Sequence, residues 1–295
     1  MIETHLSLLL VVIPLLAAPI TAILPNGRLP WLLTLLVSWV CFALAIWQYV
    51  MVVDGSVISY ELGGWAPPWG IEYRIDTVNA FVALIVAGMA AITMPYAMLS
   101  VEKEIPKEKL SLFYATFLLC MDGLLGITLT GDIFNLFVFL EISSLSTYAL
   151  ISMGRQRRAL TAAYQYLIMG TIGATFLLIG IGLIYAETGT LNMMDLSALL
   201  PSVFEHRTVH TAFAFIVVGV GLKLAMFPLH LWLPNAYTYS PSAVTVFLAA
   251  TATKVAVYVM LRLVFTVFSI GFAYVTPTDG MFMLVGALGV IVASI

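Results

Sequence analysis

A membrane-length apolar segment with a carboxylate near its middle, residues 133–153, restricts the fold of this chain more than any other feature. At about 1.5 Å per helical residue, Glu141 lies roughly 12–13 Å from the start of the segment, in a hydrocarbon layer about 30 Å thick. A carboxylate at that depth costs at least ~2.5 kcal/mol, and it usually faces a bundle interior or a water-filled path. We therefore predict a membrane protein in which other helices supply the partners of Glu141.

The composition agrees with a membrane protein and disfavours several other classes. The 295 residues are 62% hydrophobic and 9% charged, whereas soluble domains are about half apolar and about a quarter charged. The net charge of −3 does not favour nucleic acid as a partner. Cys41 and Cys120 lie in apolar runs and predict neither a disulfide nor a metal site. Because the sequence shows no nucleophile–base pair and no phosphate-binding loop, a stand-alone enzyme is the least favoured interpretation.

A window of about 20 apolar residues predicts nine transmembrane helices. They cover about residues 3–24, 30–53, 77–99, 110–129, 133–153, 160–186, 208–239, 241–268 and 281 onward. The seventh is too long and too interrupted for one plain helix, and the glycines of the sixth predict close helix packing. The connection 54–76 alternates apolar and polar residues and predicts a surface hairpin. The fold class is thus an all-α polytopic membrane protein, a helical bundle of about nine transmembrane helices.

The basic residues are divided unequally between the two sets of connections. One set contains only Arg74 and Arg207, and the other contains Arg28, Lys103, Lys107, Lys109, Arg155, Arg157 and Arg158. Because loops on the cytoplasmic side carry an excess of lysine and arginine, this asymmetry predicts an integral membrane protein with its N-terminus outside.

Lys223 lies where the seventh predicted helix is interrupted. Pro228 and Pro234 follow it, and a proline removes a backbone donor and clashes with the preceding helical turn. Interrupted helices in a membrane are tolerated only inside protein or along a water-filled cavity, and they recur at ion-transport sites. His230 lies inside the interruption, where its imidazole either relays protons or satisfies a carbonyl group freed by the break. Both roles remain open at this point.

A second lysine within the apolar segments, Lys254, lies in the eighth predicted helix, too deep for its ammonium group to reach the interface easily. Thr251 and Thr253 beside it indicate a polar seam. Arg262 lies two turns further on, nearer the outer interface, and we interpret it as an anchor. Asp122 in the fourth predicted helix either lines the same cavity as these groups or caps a local kink.

A carboxylate and two amines on three separate helices, all of which we expect to be buried, indicate a proton path. Burial disfavours the charged forms of a carboxyl group and an amine, whereas the proximity of opposite charges favours them. A lysine balanced between these effects can bind and release a proton when its carboxylate partner moves. The alternative is a static buried ion pair that fixes helix packing. The sequence does not show whether Glu141 touches Lys223.

Several segments, in the same order along the chain, resemble one family of membrane proteins. They are RIDTVNAFVALIV (74–86), TGDIFNLFVFLE (130–141), GTLNMMDL (189–196), FPLHLWLPNAY (227–237) and ATATKVAVYVMLR (250–262). Residues 72–268 resemble the antiporter-like subunits that Mrp-type multisubunit cation/proton antiporters share with respiratory complex I, and membrane-bound hydrogenases carry relatives. Within the family, the segments are most similar to the D-type subunit of the Mrp antiporters.

The resemblance implies site residues, partners and a location. The family's essential glutamate on helix five corresponds to Glu141, its lysine on the broken seventh helix to Lys223, and its central lysine on helix eight to Lys254. Such proteins move protons or sodium across a bacterial or archaeal cell membrane together with other membrane subunits. They are not redox catalysts and bind no flavin, iron–sulfur cluster or nicotinamide themselves.

The resemblance also implies a division of the chain and two departures from the family. Family members resemble two inverted five-helix repeats. Residues 1–109 then hold helices one to three, residues 110–268 the first repeat, and residues 279–295 the start of an incomplete second repeat. We therefore expect a truncated or split subunit, the first half of an inverted-repeat transporter fold. The incomplete second repeat is the first departure from the family. The second is Asn235, where the family often has aspartate, so the resemblance implies no acidic role at that position.

Three functions are compatible with these observations. The leading hypothesis is an ion-translocating subunit of an Mrp-type Na⁺/H⁺ antiporter that uses a Glu/Lys/Lys relay. The second is a proton-pumping subunit of a complex I-like NADH:quinone oxidoreductase or a membrane-bound hydrogenase. The third is a scaffold subunit that conducts no ion. The residues assigned to translocation are Glu141, Lys223, Lys254 and His230, with Asp122 and Arg262 as secondary candidates.

Overall fold

A computed structural model of the chain describes residues 2–269, 271–272 and 276–294. Ile295, at the end of the last predicted segment, lies outside the described residues. Over these ranges the chain is a bundle of helices with one two-stranded hairpin. Eight of the helices are long and apolar enough to cross a membrane. The predicted all-α polytopic membrane fold is confirmed.

The helices agree with the nine predicted segments except around the seventh, which is two helices, and at α7, which the apolar pattern does not predict. Arg262–Val267 continue α10 as a π-helix. The eight candidate spans are α1 to α6, α8 and α10. The helix bounds are α1 Ile2–Ile23, α2 Arg28–Val52, α3 Thr77–Glu104, α4 Leu110–Leu129, α5 Ile133–Ser152, α6 Arg157–Thr188, α7 Met193–Leu199, α8 Arg207–Leu224, α9 Trp232–Tyr239, α10 Ser242–Leu261 and α11 Thr278–Ala293.

The hairpin predicted for residues 54–76 is present. Strand β1 (Ile58–Glu61) pairs antiparallel with β2 (Glu72–Ile75). β2 also contacts the connection between α4 and α5, because Tyr73 forms a bridge with Thr130 and the Glu72 carbonyl accepts a hydrogen bond from the Gly131 amide. The hairpin thus holds the adjoining helix ends in register at this end of the bundle.

α4 is the central helix, and it packs against α1, α2, α3, α5 and α10. Two glycines let α5 approach it closely. A Cβ atom at Gly123 would overlap the backbone of Ser143, and one at Gly126 would overlap the ring of Phe139. These contacts place α5, which carries Glu141, directly against the core of the bundle.

Glycines also bring α6 and α8 together, as predicted for the sixth helix. Gly173 of α6 approaches the backbone of Gly219 in α8, and Gly180 approaches Ile216. Gly182 is different, because nothing lies within 4 Å of the position of its missing Cβ atom. Close packing between α6 and α8 determines how deeply the end of α8, and with it Lys223, lies in the bundle.

The connections that carry most of the basic residues meet at one end of the bundle, called here the basic face. The Asn26 side chain binds the Glu108 carbonyl and the Ser111 amide, which joins the α1–α2 connection to the start of α4. The Glu104 carboxylate at the end of α3 accepts hydrogen bonds from the amide and hydroxyl groups of Ser242 at the start of α10. The hairpin lies at the opposite end, where α3 begins. The side of the membrane that each end faces stays a prediction.

Candidate functional site

The structure brings Glu141 of α5 and Lys223 of α8 together. The Lys223 Nζ atom lies 3.5 Å from the Glu141 Oε1 atom. The lysine side chain is 6% exposed and the glutamate side chain 27% exposed. Both groups lie in apolar helices of the bundle, as the sequence predicts. This ion pair is therefore a charged contact in the interior of a membrane bundle.

Two further oxygen atoms of α5 contact the same ammonium group. Lys223 Nζ donates hydrogen bonds to the Ser144 hydroxyl at 2.6 Å and the Tyr148 hydroxyl at 3.3 Å. Glu141, Ser144 and Tyr148 are spaced by three and four residues, so they share one face of the helix. Sequence reasoning missed the serine and the tyrosine. Their spacing from Glu141 is the signal that could have identified them.

α6 closes the site with a glycine. A Cβ atom at Gly170 would overlap the Tyr148 hydroxyl and would lie 3.4 Å from Lys223 Nζ. Gly170 therefore has the packing role predicted for the glycines of this helix. It also leaves the room that the tyrosine and lysine side chains occupy.

Lys223 is in the last turn of α8, immediately before the break. Ala225 adopts a left-handed conformation with φ of 58°, and the chain turns through residues 226–231 before α9 starts at Trp232. The predicted interruption of the seventh helix is thus present. The negative end of the helix dipole stabilises a positive charge there.

Trp232, and not His230, satisfies a carbonyl group that the helix break frees. Its indole Nε1 donates a hydrogen bond to the Leu222 carbonyl at 3.0 Å, next to Lys223. His230 stacks loosely on Phe227, with ring centroids 5.7 Å apart, and its Nδ1 atom has no hydrogen-bond partner among the described residues. His230 is therefore not part of the Glu141–Lys223 contact network.

Three buried aromatic rings connect the helix break to the ion pair, and we call them the aromatic stack: Tyr148, Tyr166 and Trp232. The Tyr166 and Trp232 rings are parallel, with centroids 3.9 Å apart. The Tyr148 ring meets Tyr166 edge-on at 4.7 Å. The stack therefore runs from the start of α9, through α6, to the hydroxyl group that contacts Lys223.

Lys254 is not buried in this chain, contrary to the expectation of two buried amines. Its side chain is exposed, and its ammonium group donates to the Ala249 carbonyl and to the Thr253 hydroxyl. Val257 and Leu261 on the same side of α10 are exposed as well. The position of a residue in an apolar segment predicts its depth but not the side of the helix on which it lies, and this is why the expectation was wrong.

Arg262 lies at the hairpin end and forms an ion pair with Asp76 at 2.6 Å. Asp76 caps the N-terminus of α3, where its side chain accepts hydrogen bonds from the amides of Val78 and Asn79. Arg262 also donates to the Tyr258 hydroxyl at 3.2 Å. The interpretation of Arg262 as an anchor agrees with these contacts, which tie the end of α10 to the start of α3.

Asp122 is fully buried in α4, and neither carboxyl oxygen has a hydrogen-bond partner among the described residues. It is not among the contacts of Glu141 or Lys223. Burial, and after it the charge of Asp122, raises the pKa of Tyr73 in β2. In the described part of the chain, Asp122 is therefore separate from the Glu141–Lys223 contact.

Known proteins of one family match this chain. The family model described as NADH:quinone oxidoreductase/Mrp antiporter, transmembrane, matches residues 130–295. The N subunit of the NADH-quinone oxidoreductase of Desulforudis audaxviator (strain MP104C) is 42% identical over 294 residues, which are 99% of this chain and 58% of the relative. The D subunit of the Na(+)/H(+) antiporter of Bacillus subtilis (strain 168) is 32% identical over 215 residues, which are 73% of this chain and 43% of the relative.

A solved structure supports the same fold. One chain of the membrane-bound sulfane sulfur reductase, an archaeal respiratory membrane complex, matches with a TM-score of 0.85 and 32% sequence identity, over 93% of this chain and 56% of that chain. This chain thus spans about half the length of the proteins that it matches.

Proposed function

Because this chain belongs to the NADH:quinone oxidoreductase/Mrp antiporter transmembrane family, we propose that it is an ion-translocating membrane subunit in which Glu141 and Lys223 carry protons. The observation that carries this proposal is the 3.5 Å ion pair between them at the end of a broken membrane helix. The resemblance to the D-type subunit favours an Mrp-type Na⁺/H⁺ antiporter as the assembly. Protons, and Na⁺ in an antiporter, are then the transported ions, and other membrane subunits are the partners.

The geometry gives Lys223 two sets of oxygen partners. Glu141 offers a carboxylate, whereas Ser144 and Tyr148 offer neutral hydroxyl groups. A lysine paired with the carboxylate is stabilised as ammonium, and one that has only hydroxyl partners releases its proton more readily. A small movement at the helix break changes which partners are closest. This is the physical basis on which the pair acts as a proton carrier and not as a fixed packing contact.

Lys254 is proposed as a second station of the path, and His230 as a group that acts when the break rearranges. In the described part of the chain, Lys254 has no carboxylate within ion-pair distance. An exposed ammonium at this depth of a membrane requires either a polar partner or water. We propose that another part of the assembly supplies it. Asp122 and Arg262 are proposed as structural elements outside the Glu141–Lys223 contact.

A complex I-like NADH:quinone oxidoreductase is the second candidate assembly. The observation that favours it is the 42% identity to an N subunit over nearly the whole of this chain. The two candidates differ in the energy source that drives transport. An imposed Na⁺ gradient should drive proton movement in vesicles that contain an antiporter, whereas NADH oxidation should drive it in the other assembly.

The test of the function uses two substitutions in the full assembly, in native membrane vesicles. Glu141→Gln removes the carboxylate charge, and Lys223→Arg keeps the positive charge but cannot release a proton under physiological conditions. We expect both to abolish proton transport while the complex still assembles. Glu61→Gln, the same chemical change at an exposed position of the hairpin, is the control and should transport normally.

Two results would contradict the proposal. Normal transport by both variants at normal levels of assembled complex would favour the scaffold hypothesis. Normal transport by Lys223→Arg alone, with loss in Glu141→Gln, would show that the pair needs the charge but not a transferable proton. Assembly is measured as the amount of intact complex recovered from the membrane, so a folding defect is separated from a transport defect.

A further inference from the structure

A polar cleft opens between α6 and α9 at the basic face, with a volume of about 240 Å³. The Asn235 side chain donates a hydrogen bond to the Gln165 side chain across it, at 3.1 Å. Arg158 donates to the Tyr239 hydroxyl at its rim, at 3.0 Å. The lining residues are Arg158, Thr161, Ala162, Gln165, Asn235 and Tyr239. A cleft of this size with mostly polar lining residues has room and hydrogen-bond partners for water.

The inner wall of the cleft adjoins the aromatic stack. Ala162, which lines the cleft, belongs to the same buried apolar cluster as Tyr148, Tyr166 and Trp232. The three rings are between 5% and 7% exposed. On the far side of the stack lies Lys223, in contact with the Tyr148 hydroxyl. The Tyr166–Trp232 pair therefore lies between a polar cleft and a buried ammonium group.

We propose that this cleft is the route by which protons from the basic face reach Lys223, and that the Tyr166–Trp232 pair is the closed gate of that route. The inference rests on the proposed function, and it adds the path and the residues that control access. Protons move along water and polar groups, and two parallel rings at 3.9 Å leave no room for water between them. In the described conformation the route is closed.

The gate is attached to the site that it controls. Trp232 begins α9, and its indole N–H binds the Leu222 carbonyl next to Lys223. A shift of α9 relative to α8 therefore moves the Trp232 ring off Tyr166 and changes the surroundings of Lys223 in one motion. In the open state, a hydronium ion in the cleft transfers its proton to the lone pair of the neutral Lys223 amine and remains as a water molecule. Gating and proton loading are thereby coupled.

Cysteine labelling in the full assembly tests the route without depending on transport. Both native cysteines, Cys41 and Cys120, are buried. Gln165→Cys places a thiol in the cleft, and Ser144→Cys places one behind the stack. A membrane-impermeant cationic methanethiosulfonate reagent is added to vesicles of either orientation. We expect Gln165→Cys to react only from the basic face, and Ser144→Cys to react slowly.

Removal of a gate ring should expose the inner thiol. Trp232→Ala or Tyr166→Ala, each combined with Ser144→Cys, should raise the labelling rate from the basic face by at least about tenfold. Trp232→Phe keeps a ring in the stack but loses the hydrogen bond to Leu222, and it should leave Ser144→Cys protected. Phe176→Ala is the matched control, because Phe176 of α6 pairs with Phe215 of α8 outside the stack.

Several results would overturn the inference. If Gln165→Cys reacts from the opposite face, or from neither face, the cleft is not the entrance of the proton route. Fast labelling of Ser144→Cys with the aromatic stack intact would show that the rings are not the barrier. The same conclusion would follow if Ser144→Cys stays protected from labelling in assembled complexes of both Trp232→Ala and Tyr166→Ala. The proposed function fails separately, through normal transport in both Glu141→Gln and Lys223→Arg, and neither result depends on the other.

Discussion

At the scale of the residue, the environment of Lys223 combines features that stabilise its ammonium form with features that favour loss of its proton. The Glu141 carboxylate, two hydroxyl groups and the end of a helix dipole all favour the ammonium form. Nearly complete burial opposes it. The hydroxyl groups of Ser144 and Tyr148 are therefore, with the carboxylate, part of the environment that sets the charge of Lys223.

The Tyr148 hydroxyl can be removed without disturbing the ring. Tyr148→Phe should keep the edge-on contact with Tyr166 but lose the hydrogen bond to Lys223. A hydrogen bond to a charged group contributes about 1.5–3 kcal/mol, so we expect transport to fall by about tenfold or more and its dependence on pH to shift. Initial rates of proton transport across a range of pH values provide the measurement. Tyr164→Phe, at an exposed position of α6, should behave like the unchanged protein, and an unaltered pH profile in Tyr148→Phe would rule out this contribution.

At the scale of the element, the arrangement depends on how closely three helices approach. α5 presents its polar face, α8 ends at the lysine, and α6 seals the site with the backbone of Gly170. The break between α8 and α9 frees carbonyl groups, and Trp232 satisfies one of them. The site is thus built from a close helix contact and an interrupted helix, and neither alone would bury the lysine beside its partners.

Two glycines of α6 allow a direct test of this packing. In Gly170→Ala the new methyl group overlaps the Tyr148 hydroxyl, so we expect a loss of about 1–3 kcal/mol in stability and a loss of transport. In Gly182→Ala the methyl group meets no atom within 4 Å, so stability should stay the same or rise by up to about 1 kcal/mol. Thermal unfolding of the purified complex measures both effects. Equal melting temperatures for the two variants would be inconsistent with the described packing.

At the scale of the whole molecule, the two ends of the bundle differ in structure. The basic face carries the polar cleft, whereas the hairpin end is held by the Asp76–Arg262 ion pair and by contacts of β2 with the α4–α5 connection. Lys254 lies on the exposed side of α10, where we propose that another part of the assembly supplies its polar partner.

The hairpin end should affect stability more than transport. Asp76→Asn keeps a residue that caps helices as well as aspartate does, but it loses the charge that pairs with Arg262. Asp76→Ala loses both, and we expect it to cost about 1 kcal/mol more than Asp76→Asn, the usual contribution of an N-cap. Melting temperatures and transport rates of the assembled complex give the comparison. Loss of transport in Asp76→Asn at normal assembly would instead place this ion pair in the proton path.

Features that depend on local chemistry could be predicted from the amino-acid sequence alone. Apolar length predicts the spans, Pro228 predicts a break near Lys223, and the depth of Glu141 in its helix predicts that it needs partners. The hairpin and the close packing of α6 also follow from local patterns. Each of these properties belongs to a continuous stretch of chain, and this is why they could be predicted.

Which side chains contact one another depends instead on the tertiary structure. Lys223 contacts Ser144 and Tyr148 across sequence separations of 79 and 75 residues. Helices that are apolar on every side do not indicate which side is buried, so the exposure of Lys254 could not be predicted from its position in the segment. The same limit applies to the aromatic stack and to the Arg262–Asp76 pair. Rotation of each helix about its own axis, which packing sets, determines all of these contacts.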